Sequence, residues 1–172
     1  MARMNPDDEE LVSFAQRLAA SDAFKAMFRE GMTMVEEAAA YLDGPGREEA
    51  KALPRSESLA YAAESMRLTT RLMQIASWLL LQRAVNEGEL TLDEAASEKR
   101  KVKLSYQESA ASPESFPRLP QALRDLVCES LRLQARIMHL DQLLYLKPDP
   151  DLAPPAASPV EEQLNRLRAA FC

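Results

Sequence analysis

The chain has 172 residues and a formal net charge of −6, which suits one domain with extensions and excludes the basic face that a nucleic-acid binder needs. Hydrophobic residues make up 47% and glycines number only 4, so the chain can bury a core and its composition favours helix over sheet. The start MARMNPDDEE is acidic and lacks the apolar centre of a signal peptide, and no apolar run reaches the length of a bilayer span.

Residues 1–20 read as an N-terminal arm. The first helical pattern then sets Phe24, Phe28, Gly31, Val35, Ala38 and Leu42 on one seam, widened by Met27, Met34 and Tyr41. Ser21 or Asp22 caps its start, and Asp43-Gly44-Pro45-Gly46 stops it. The second pattern runs from Ser56 or Ser58 to Glu87, with Gly88 at C′. It is apolar on two sides. One side is Leu59, Ala63, Met66, Thr70, Met73, Ser77, Leu80 and Ala84; the other is Leu68, Leu72, Ile75 and Leu79. Such a helix must cover both sides, by lying centrally or by sharing with a second subunit. Leu68, Leu72, Ile75 and Leu79 are therefore candidates for a core or dimer seam.

Thr91 and Glu94 fit a capping box for a short helix to about Arg100, and KRKVK (99–103) is a basic run that suits a solvated helix end. Residues 105–120, with three prolines, read as a loop. In the third long pattern Leu119, Leu123, Leu126, Ser130, Leu133, Ile137, Leu140 and Leu144 recur in alternating four- and three-residue steps, as in a coiled coil. Pro148 ends it. A Pro-rich linker comes next, and then Ser158, Pro159 and Glu161 cap a short helix with Val160, Leu164, Leu167 and Phe171 on one face. The expected fold is all-α: an antiparallel three-helix bundle over residues 21–146, with short accessory helices and a flexible C-terminal tail over 147–172.

Residues for chemistry are sparse. His139 is the single histidine, and it falls away from the leucine seam, exposed among Arg132, Ala135, Arg136 and Gln142. One histidine with two distant cysteines does not make a metal site. Cys128 reads as a small buried apolar group, and with Cys172 it implies no disulfide framework. Gly44 and Gly46 flank a proline, which cannot donate to a phosphate. Glu36-Glu37 and Glu48-Glu49 are adjacent pairs that splay apart on a helix. These features point to neither an enzyme nor a cofactor, but to a soluble, cytoplasmic interaction protein. For recognition, Glu64, Arg67, Arg71, Gln74 and Trp78 form a stripe between the two apolar sides of the second helix. Arginine with tryptophan is the composition of an interface hot spot; it equally suits an internal network of arginines paired with acids, with Trp78 capping the core.

The segments FKAMFREGMTMVEEAAAYLDGPGREEAK, LAYAAESMRLTTRLMQIASWLLLQRAVNEGELT and SEKRKVKL resemble the alphaproteobacterial RcdA family, regulators of CtrA degradation. Together they span about residues 24–104. The resemblance implies a homodimeric three-helix-bundle adaptor without activity of its own, working with the ClpXP protease once a CpdR-like adaptor has primed it. It implies protein cargo taken directly, and CtrA taken through a PopA-like adaptor that senses cyclic di-GMP. It also implies a C-terminal tail that matters for delivery, while the acidic charge and the short apolar runs argue against nucleic acid and membrane as partners. The alternatives are a structural helical dimer and a transcription-associated interaction protein.

Overall fold

The computed structural model describes residues 17, 20–101 and 114–145. Within these it is all helical: α1 (Asp22–Asp43), α2 (Pro45–Ala52), α3 (Arg55–Asn86), α4 (Leu92–Lys101), a 3₁₀ turn (Phe116–Arg118) and α5 (Gln121–Tyr145). The tail motif Val160, Leu164, Leu167 and Phe171 and most of the N-terminal arm lie outside the described residues. No described helix is long and apolar enough to cross a membrane.

Helix ends obey local chemistry. Gly88, at φ +76°, adopts the left-handed conformation that glycine accepts without penalty. Its N–H donates to the Val85 carbonyl at 3.1 Å, and that of Glu89 donates to Ala84 at 2.9 Å, a Schellman close for α3. The Thr91–Glu94 capping box forms reciprocally: Thr91 N donates to Glu94 Oε2 at 2.9 Å, and Glu94 N to Thr91 Oγ1 at 3.2 Å. Asp43-Gly44 does end α1, but Pro45 and Gly46 open α2 rather than a loop. Proline at the first helical position lacks only an N–H that would have no partner there anyway.

α1, α3 and α5 make the bundle. Phe24, early in α1, lies 6.5 Å from Trp78, late in α3, so this pair is antiparallel. Arg136 of α5 reaches Glu30 of α1, and this pair is antiparallel too. α3 and α5 instead run the same way: Arg118, just before α5, faces Glu57; Ser130 meets Arg71; and Tyr145 meets Gln82. A helix that runs parallel to its predecessor needs a long return along the bundle. The connection between α3 and α5 is long enough for it, and its described helix, α4, packs on α3.

The third pattern is buried as spaced: Leu119, Leu123, Leu126, Ser130, Leu133, Ile137, Leu140 and Leu144 are all in the core. They meet Leu68, Leu72, Ile75 and Leu79 of α3, each at most 4% exposed. Those four are core residues of the single chain. α1 approaches through Gly31, where an added Cβ would come within 2.5 Å of Leu79 Cδ1. Gly46 is similarly close, 2.8 Å from the Tyr41 carbonyl oxygen and 2.5 Å from Tyr61 Oη for an added Cβ. The α1–α2 turn thereby closes over Tyr41, whose hydroxyl donates to Glu49 Oε2 at 2.7 Å.

Cys128 is exposed, contrary to the burial expected of it. It stands one position past Val127, which is buried, and a single step of about 100° carries it off the inward arc of α5.

Candidate partner-binding surface

The stripe on α3 turns inward. Glu64, Arg71 and Trp78 are buried, and Arg67 and Gln74 are partly so. Arg67 Nη1 donates to Glu64 Oε1 at 2.5 Å. Arg71 Nη1 donates to Ser130 Oγ at 2.9 Å, and Ser130 Oγ passes its own hydrogen to the Val127 carbonyl at 2.7 Å. Burial pushes the Arg71 pKa down, and the Glu64 carboxylate opposes that shift. Buried charges require such partners, since an unpaired ion in the core is far more costly.

A second knot ties the far end of the bundle. Trp78 Nε1 donates to Asp141 Oδ1 at 2.7 Å, and Lys99 Nζ donates to the same oxygen at 2.8 Å. The Lys99 ammonium also sits 3.8 Å from the centroid of the Tyr145 ring, a cation–π contact. The Tyr145 hydroxyl donates to Gln82 Oε1 at 3.2 Å. Burial first, and the Asp141 charge second, push the Tyr145 pKa up to about 12. The first lysine of KRKVK thus pins α4 onto α5, whereas Lys101 is exposed and pairs within its own helix with Glu98.

With charges taken inside, the outward face of α3 is apolar. Leu59, Met66, Met73 and Leu80 are 67%, 72%, 67% and 52% exposed. From Leu59 to Leu80 the remaining exposed residues are Ala62, Thr69 and Thr70, so this face carries no charge over about 32 Å at 1.5 Å per residue. Its hydroxyls bond internally: Thr69 to Ser65 O at 2.9 Å, Thr70 to Met66 O at 3.0 Å and Ser77 to Met73 O at 2.8 Å. Hydroxyls bonded to their own helix ask less of water or a partner. Beside Met66 a groove of about 570 Å³ opens between α1, α2 and α3, with Leu42, Ala50 and Tyr61 in its wall and Arg47 and Lys51 among its lining residues. A row of exposed apolar side chains of this kind is a candidate interaction surface, and methionine adapts to varied partner shapes. The sequence signal for it was the seven-residue recurrence of Leu59, Met66, Met73 and Leu80, within the other apolar side of the second helical pattern.

Among the described residues no group of three or more His, Cys, Asp or Glu is placed to hold a metal ion. His139 is exposed, as its position off the seam requires.

Comparison with known proteins adds the lineage. Residues 15–171 match the model of the DUF1465 family, described as a protein of unknown function. Nothing among curated proteins matches. The crystal structure of RcdA from Caulobacter crescentus CB15 is 48% identical, with a TM-score of 0.62, and the match covers 77% of this chain and 98% of that one. The family match therefore extends through the bundle and into the tail, and the chain belongs to the DUF1465 family, the family of RcdA.

Proposed function

We propose that the protein is a non-enzymatic adaptor for regulated proteolysis. It tethers protein cargo, including cell-cycle regulators such as CtrA, to a ClpXP-type protease primed by a CpdR-like response regulator. CtrA itself reaches it through a PopA-like adaptor. The observation that supports this reading is the uncharged outward face of α3, a surface suited to protein contact, in a chain 48% identical to RcdA. An adaptor of this kind raises the effective concentration of cargo at the protease and breaks no bond itself.

The same face also suits self-association. Leu59, Met66, Met73 and Leu80 from two copies would bury one another in an isologous contact, and we place the homodimer there rather than at Leu68, Leu72, Ile75 and Leu79. The test is reconstitution: purified protease, primed response regulator and a candidate cargo, with and without this protein. Faster cargo loss that requires the protein supports the reading. Unchanged cargo loss, with binding only to polymerase or promoter complexes, would replace it with a transcription-associated role.

A further inference from the structure

α1 and α5 touch each other less than either touches α3, and at one end of the bundle their seam stays open. There a groove of about 280 Å³ is lined by Ala23, Phe24, Met27, Leu140 and Leu143, with Arg136 and His139 at its edge. Phe24 and Leu140 are buried in its floor, while Met27 and Leu143 are only half-buried. The described part of α5 runs to Tyr145, two residues beyond Leu143 of the groove. The sequence beyond Tyr145 is a Pro-rich linker and then a capped pattern with Val160, Leu164, Leu167 and Phe171 on one face.

We propose that this C-terminal segment docks on its own bundle, setting Leu164, Leu167 and Phe171 into the α1–α5 groove at Met27, Leu140 and Leu143. A helix of about three turns is marginal alone in water and needs a surface to cover its apolar face. Residues 146–159 reach up to about 45 Å when extended, which gives ample slack over a groove that Leu143 lines. Tethering this short holds the segment at an effective concentration in the millimolar range. Charge agrees: the segment opens with Glu161 and Glu162, and no acidic residue lines the groove, whose edge carries His139 and Arg136. Arg136 also pairs with Glu30 of α1, which is not among the groove's lining residues. A docked tail withholds its apolar face from other proteins until something competes for it. This inference rests on the groove and the tail pattern, and it stands or falls independently of the adaptor role.

The test uses the full chain. Amide hydrogen exchange is measured over residues 160–171 together with the ring NMR signal of His139, the only histidine in the chain. Docking predicts roughly tenfold or greater protection of those amides, lost in Leu167→Asp/Phe171→Asp, with a coincident shift of the His139 signal. Both substitutions lie outside the bundle, so they leave its fold intact. Exchange at unprotected rates overturns the proposal. So does protection with an unmoved His139 signal, which puts the segment elsewhere. Protection that fades on dilution overturns it as well, since the tail then lies on a second copy or another protein.

Discussion

α5 and α3 carry most of the core, and they distribute polarity in opposite ways. α5 turns a leucine-rich seam inward, with Ser130 and Gln134 as its uncharged polar members, and shows solvent Asp125, Glu129, Arg132, Arg136, His139 and Gln142. α3 buries Leu68, Leu72, Ile75 and Leu79 beside Glu64 and Arg71, and shows solvent Leu59, Met66, Met73 and Leu80. The first arrangement is complete within one chain. The second spends stability on buried charge while leaving apolar surface exposed, and under the proposed function another protein layer covers it.

The contrast breaks most severely from the inside. Leu72→Asp or Leu79→Asp sets a carboxylate where exposure is 4% or less; a loss above about 4 kcal/mol is expected, enough to unfold a marginal domain. Circular dichroism at ambient temperature checks it. Next comes Arg71→Ala, which strips Ser130 of its donor and leaves buried Glu64 with one cation fewer. It should cost about 3 kcal/mol in urea unfolding, whereas Arg132→Ala on the solvent face of α5 should stay within about 0.5 kcal/mol. Equal costs for the two would contradict the inward placement of the α3 charges.

Asp141→Ala removes the acceptor shared by Trp78 and Lys99 and should cost about 1–3 kcal/mol, with earlier exchange of the α4 amides. Alkaline pH probes the same knot. The Tyr145 pKa is about 12 in the fold against an ordinary 10.0, so the fold favours the protonated phenol. That contribution is full below pH 10 and drains away as pH rises towards 12. Tyr41 is raised further, by burial first and by its hydrogen bond to Glu49 next, and acts with the same sign. Tyr145→Phe should therefore shrink the alkaline loss without abolishing it, read from urea midpoints across that range.

The sequence foretold α5 well because one seam in strict steps leaves only one side to bury. α3 was harder. Its helical character and both apolar sides were legible, but two apolar sides share one period, and nothing local says which of them meets α5. Arg67, Arg71 and Trp78 have interface composition, yet Ser130 and Asp141 meet Arg71 and Trp78 from 59 and 63 residues away. That pairing exists only after folding. The parallel course of α5 relative to α3 was hidden for the same reason, since periodicity fixes faces and not directions. α2 escaped notice because Pro45 and Gly46 stop one helix and start the next.

The smallest expected change in stability attends the most informative variant, Met66→Lys/Met73→Lys. Both side chains are about two-thirds exposed, so melting should move little. Sedimentation equilibrium at tens of micromolar is the direct measurement: the wild type should behave as a dimer and the equally stable double variant as a monomer. A wild type that sediments as a monomer, or a double variant that remains dimeric, would contradict the claim that the outward face of α3 is where two copies meet.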